Sequence, residues 1–171
     1  MESATNKEKY YIIEAKETDI KRIIEMRMKL ESYLDTCNAN LWHISPDHMD
    51  DLPSKYRHML KDDQFKVLIV VNETTNDVVG MATGRIIHNE MFNHKKTGKL
   101  DDVWIDEEHR NRGLCMSLTN RIIDFFRGNN IKHMTLEYVS GNESAAMVWQ
   151  KMGFEPVIII ANRTLDSIKK N

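Results

Sequence analysis

The segment His109–Leu118, "HRNRGLCMSL", sets two arginines and a glycine between a short apolar run, "LDDVWI" (100–105), and a stretch with helical spacing. The first turn of a helix leaves backbone N–H groups without partners, and aligned peptide dipoles put partial positive charge there, so a phosphate is a natural ligand. Gly113 lets the backbone approach such a group, and Arg110 and Arg112 bring fixed charge and planar donor forks. Spacing alone equally allows a turn that Gly113 merely shapes, with both arginines solvated, because the string lacks the Walker and dinucleotide-binding spacings. His43, His48, His58, His88, His94, His109 and His133 show no metal-ligand spacing, so no metal is expected.

The elements that must hold this knot are read from periodicity. "YYIIEAK" from Tyr10 is a strand, and Thr18 or Asp19 caps a helix whose apolar positions are Ile20, Ile23, Ile24, Met28, Leu30 and Leu34. After the connection "NANLW", Ser45 and Pro46 start a second helix running to about Leu60. "FKVLIVV" and "DVVGMATGRIIH" are antiparallel strands joined by "NETTND", and "NEMFNHKKTGK" loops back into "LDDVWI". A helix then runs through Ser117, Leu118, Ile122, Ile123 and Phe126 to a stop at Gly128. "HMTLEYV" is a strand, "NESAAMVWQKM" a short helix ended by Gly153, and "EPVIIIANRTL" a last strand. This order predicts one mixed α/β domain over residues 1–171.

Composition narrows function. The 171 residues are 41% hydrophobic with a formal charge of -2, enough for one core and too balanced to hold a nucleic-acid backbone. The apolar runs "VLIVV" and "VIIIA" fall far short of the roughly 20 residues that span a bilayer, and the start "MESATNKEKYY" has no signal-peptide core, so a cytoplasmic protein is expected. Cys37 and Cys115 form neither a metal cluster nor a disulfide framework.

"RNRGLC" (110–115) resembles the Q/R-x-x-G-x-G/A pyrophosphate-binding motif of the GNAT superfamily of acyl-CoA-dependent N-acyltransferases, departing only at Cys115. "NESAAMVWQKMGF" resembles the second signature, N-x-x-A-x-x-L-Y-x-K-x-G-F, at Asn142, Ala145, Lys151, Gly153 and Phe154, with Trp149 at the tyrosine position. The resemblance covers about residues 65–164 and extends to the N-terminal helices by topology and a looser likeness in "LW-x-x-SP". It implies the GNAT fold, a mixed twisted central sheet with splayed strands flanked by helices.

Acetyl-CoA is the implied co-substrate. Backbone at Val103 and Ile105, with Trp104 between them, would border the pantetheine arm. The diphosphate would lie on the N–H groups of Arg110, Asn111, Arg112, Gly113, Leu114 and Cys115, with Met116 and Ser117 completing the first turn. Asn142, Ala145, Trp149 and Lys151 would meet its far side. Attack of an amine on a thioester needs a base, donors for the oxyanion and an acid for the thiolate. The resemblance favours Asp101 as base, sharing a strand face with Val103 and Ile105, while Asp102 and Trp104 take the other; Asp102 and Glu137 follow as candidates. The Val103 N–H would serve the oxyanion. An indole is not a usable acid, so Tyr138, water or the released ammonium proton would replace the family's tyrosine.

The implied activity is N-acetylation of a small-molecule amine in a ternary complex. The alternatives are acetylation of a protein N-terminus or lysine, or a lapsed acyl-CoA-binding module, which Trp149 would favour. Glu31, Asp35, Asp47 and Asp50 would attract a cationic amine or form a solvated face, and of Met26, Met28, Met49 and Met59 a few would line the acceptor pocket. The last strand is apolar enough to pair across a homodimer.

Overall fold

The computed structural model describes residues 9–38, 50–90 and 93–163. Within them lie β1 (Tyr10–Glu14), α1 (Ile20–Cys37), α2 (Leu52–Met59), β2 (Phe65–Asn72), β3 (Val78–His88), β4 (Lys96–Ile105), α3 (Leu114–Gly128), β5 (Met134–Leu136) and α4 (Glu143–Lys151). The strands form one sheet in the order β1-β2-β3-β4-β5, antiparallel except for the parallel β4–β5 pair. The β2–β3 reversal is local: Asn72 Oδ1 accepts the N–H groups of Thr74 and Thr75 at 2.9 and 3.4 Å, and Asn76 takes a left-handed conformation, φ 61°.

Alternation along the strands supplies two cores. Leu68, Val70, Ala82, Ile86, Leu100 and Ile105 pack on one face against Leu114, Leu118, Ile122 and Phe126 of α3 and Trp149 of α4. Val67, Ile69, Val71, Met81 and Trp104 pack on the other against Ile23 and Met26 of α1 and Tyr56 and Met59 of α2. The methionines at 26 and 59 are therefore core residues. Burying each of the larger apolar side chains contributes about 1.5–3 kcal/mol, so the sheet is clamped from both sides. No helix of the described residues is long and apolar enough to cross a membrane.

Several elements differ from the sequence reading. β4 begins at Lys96 because Lys96–Lys99 continue the ladder opposite His88–Arg85, which shortens the expected loop. Asp19 precedes α1, but its carboxylate accepts the Lys16 N–H at 2.7 Å instead of capping the helix. Gly128 lies inside α3, and the left-handed residue after the helix is Asn130, φ 60°. β5 spans three residues because only Gly98–Leu100 of β4 run beside it. Glu155–Arg163 form no strand: Val157–Ile160 are 80–89% exposed and meet no sheet edge. The expected helix start at Ser45–Pro46 and the strand end at Thr164 and Leu165 lie outside the described residues.

Candidate active site

β4 and β5 pair only at Gly98–Met134, Lys99–Thr135 and Leu100–Leu136. Beyond Leu100 they part: β4 continues to Ile105 bonded to β3 alone, and β5 stops at Leu136. The β5-side edge of residues 101–105 thus meets no other strand of the described residues, and such an edge is a template for an amide-bearing chain.

A β-bulge sets this geometry. Asp102 opposes Thr83 while Leu100 opposes Gly84, so Asp101 is an extra residue in β4; a bulge bends its strand and raises the local twist. It also breaks alternation. Leu100, Val103 and Ile105 pack on the α3 face, and both Asp101 and Asp102 join Trp104 on the α1–α2 face. The expected placement of Asp101 on the face of Val103 and Ile105 is therefore corrected: the inserted residue shifts the phase by one.

The two carboxylates have different surroundings. Asp102 Oδ2 accepts the Thr83 hydroxyl at 3.1 Å, and its Oδ1 lies 3.4 Å from Arg27 Nε. Arg27 also pairs with Glu31, which is buried on α1. Asp101 Oδ2 lies 3.2 Å from Arg85 Nε. Burial pushes the Asp101 carboxyl above its usual range; Arg85 opposes this and the Asp102 charge adds to it. The Tyr56 phenol, beneath the pair on α2, is raised by burial and then by Asp102.

After Ile105 the chain makes a 3-10 turn, Glu107–His109, and reaches α3 through Asn111 (φ 60°) and Gly113 (φ 76°). Left-handed residues on either side of Arg112 curve the backbone into a concave row of N–H groups. Gly113 is the helix N-cap without a side chain, and Ser117 N–H makes the first bond into its carbonyl at 3.0 Å, joined by the Ser117 hydroxyl at 3.1 Å. The N–H groups of Leu114, Cys115 and Met116 consequently have no acceptor within the helix. A Cβ at Gly113 would meet nothing within 4 Å, so this face is open to a ligand. These features fit a diphosphate. Cys115 does not obstruct it: the thiol packs toward the α3-side core, and burial pushes it up to about 11.

The arginines brace the turn. Arg110 Nε donates to the Ile105 carbonyl at 3.0 Å, and its guanidinium lies 4.7 Å from the Trp104 ring centroid and 5.8 Å from that of Tyr33. Arg112 donates to the Glu108 carbonyl at 3.1 Å and lies over Tyr10. The Trp104 indole donates to Asp106 Oδ1 at 3.1 Å, as does Lys29 at 2.8 Å, and Arg22 pairs with the other oxygen. Burial would raise the Asp106 carboxyl, but these donors and the Arg22 charge hold it below its usual range. Asp106 thereby ties α1 to the end of β4.

On α4, Asn142 is the N-cap: its Oδ1 accepts the Ala145 N–H at 3.1 Å and the Tyr33 hydroxyl at 3.4 Å. Trp149 is buried in the core, edge-on to Phe154 with ring centroids 5.9 Å apart. Lys151 is exposed at the helix end. Glu137 points outward to Lys99 Nζ at 2.7 Å, and Tyr138, beyond β5, is exposed. Sequence reasoning missed Tyr33, Arg27 and Asp106, whose contacts join residues far apart in the chain. Arg85, a charge inside the strand "ATGRIIH", was the one signal on offer.

Comparison with known proteins agrees with this architecture. The acetyltransferase (GNAT) family model matches residues 28–154. No curated protein sequence matches the chain. Among solved structures, a Bacillus halodurans protein superposes with a TM-score of 0.79 at 16% identity, covering 91% of this chain and 99% of that one. A predicted acetyltransferase of Clostridium acetobutylicum solved with acetyl-CoA gives 0.72 at 16% identity, over 95% and 100%. Glucosamine-6-phosphate N-acetyltransferase of Arabidopsis thaliana gives 0.69 at 16% identity, over 92% and 99%. With the family model spanning the parted strands, the glycine turn and α4, the chain belongs to the acetyltransferase (GNAT) family.

Proposed function

We propose that the protein transfers the acetyl group of acetyl-CoA to the amine of a small molecule, with both substrates bound together. The observation that carries this is the edge of β4 at 101–105, unpaired among the described residues, leading into the open glycine turn at the start of α3. Acetyl-CoA supplies the activated acetyl thioester. The chain's own residues do the rest. The N–H groups of Gly113–Met116 hold the diphosphate, and the β4 edge aligns the pantetheine arm, chiefly through Val103, because the Ile105 carbonyl already accepts from Arg110. Asp101 takes the proton of the attacking amine; its raised carboxyl makes it a better base than an ordinary surface aspartate. Asp102, fixed by Thr83 and Arg27, holds the bulge. The Val103 N–H faces the oxygen that gains charge. Trp149 is a packing residue, so the exposed Tyr138 or water protonates the leaving thiolate.

The exposed run Val157–Ile160 and the outer edge of β5, which meets no other strand among the described residues, support a homodimer in which these β-branched residues add to the partner's sheet. Light scattering checks this: the wild type runs as a dimer and Ile159→Lys as a monomer.

The deciding assay is acetyl-CoA-dependent release of free thiol over a panel of amines. Turnover of a small amine at saturating acetyl-CoA supports the reading. Activity only on proteins or peptides sinks the small-molecule assignment.

A further inference from the structure

The acceptor side of the site contains a salt bridge whose halves match the two charges of a zwitterion. Arg85 Nε and Asp101 Oδ2 are 3.2 Å apart, yet the Nε–H is not aligned on that oxygen and has no hydrogen-bond acceptor among the described residues. The Arg85 side chain is 42% exposed and projects from β3 beside the bulge, on the α1–α2 face. Lys55 on α2 and Lys99 on β4, the latter paired with Glu137 at 2.7 Å, also act electrostatically on the carboxylate. Two of the acidic residues on this face already hold partners. Glu31 is buried against Arg27, and Asp102 is held by Arg27 and Thr83.

We propose that the acceptor is an amine that also carries an anionic group, a carboxylate or a phosphate, a few bonds from its nitrogen. This rests on the acetyltransferase reading, with Asp101 as base, and names its substrate class. The amine takes the place of Arg85 at Asp101, and the anion takes the guanidinium so released, with Lys55 and Lys99 adding to the field. One ion pair is exchanged for two, and neither partly buried charge is left alone. A neutral amine would part Arg85 from Asp101 without compensation. A polyamine would bring further positive charge against Arg85, Lys55 and Lys99. The planar guanidinium also suits two-point binding of a carboxylate or phosphate.

The test is thiol release with matched acceptors: an α-amino acid and its decarboxylated amine, an amino-sugar phosphate and the free amino sugar, and a linear diamine. The anionic member of one pair is expected to have a kcat/KM at least about tenfold above its uncharged partner, the scale of a hydrogen bond to a charged group. Which pair responds separates carboxylate from phosphate. In Arg85→Gln that ratio falls toward one, mainly through KM. Arg57→Gln, on the surface of α2 where Arg57 pairs with Glu17, keeps it. If Arg85→Gln fails to fold, the wild-type ratios decide alone. The proposal is overturned if the uncharged or dicationic amines are preferred, if Arg85→Gln leaves the ratio unchanged, or if no acceptor turns over while acetyl-CoA still raises the melting temperature. A wild type that acetyl-CoA does not stabilise overturns the acetyltransferase reading itself, and this proposal with it.

Discussion

Thr83 and Asp102 face each other across β3 and β4, the hydroxyl donating to the carboxylate at 3.1 Å, at the point where the strand register slips. This bond ties Asp102 to β3 at the bulge, whereas the neighbouring Asp101 has its Oδ2 3.2 Å from Arg85 Nε.

Asp101→Asn is expected to lower turnover by ~10²–10⁴-fold, the range of general-base assistance, while acetyl-CoA binding stays nearly intact. The acid limb of the pH–rate profile flattens if it reports this carboxylate, and persists if it reports the amine. Stability moves the other way. A carboxyl raised in the folded state favours folding when protonated, and that contribution is lost as pH rises through its folded pKa. Asp101→Asn should therefore melt at or above the wild type at pH 7, the difference closing below about pH 4. Full activity on the true acceptor across pH would reassign the base to Asp102, Glu137 or water.

Asp106 has the opposite sign. Its carboxyl is held low, so its contribution is present above the unfolded-state value of about 3.9 and is lost as pH falls through the lower folded value. Removing the acceptor of Lys29, Trp104 and Arg22 in Asp106→Ala should cost about 2 kcal/mol at pH 7 and progressively less in acid. Urea melts at pH 7 and pH 3 would measure both; an equal loss at the two values would remove ionisation from the account.

Gly113→Asp tests the turn. The left-handed backbone (φ 76°) costs a non-glycine residue roughly 1–2 kcal/mol, and the new carboxylate enters the open face proposed for the diphosphate. At about 100 times its dissociation constant acetyl-CoA stabilises the wild type by roughly 2.7 kcal/mol, a shift the variant should lack. A normal shift in the variant would place the diphosphate elsewhere.

For Trp149 the expectation is stability, not proton transfer. Trp149→Ala should cost about 3–5 kcal/mol, as large-to-small core changes do, whereas Trp149→Tyr should leave turnover no higher than in the wild type. Faster turnover in Trp149→Tyr at unchanged acetyl-CoA affinity would return this position to the mechanism.

By itself the sequence determined the two motifs, the order of all described helices and strands, and the strand–turn–helix unit, because periodicity, Gly113 and the Asn142 cap act within a few residues of one another. Alternation misplaced Asp101, since a bulge is fixed by the partner strand: only the pairing of Thr83 with Asp102 and Gly84 with Leu100 reveals the extra residue. Likewise "EPVIIIANRTL" has strand composition, yet ladder bonds need a strand beside it, and Glu155–Arg163 pair with no strand of the described residues. Tertiary structure alone decided that Arg27 and Arg85, from α1 and β3, lie beside the two aspartates, and that Asp106 gathers Arg22, Lys29 and Trp104. Such charges are paired through space by packing of the sheet against α1, and no spacing along the chain encodes them.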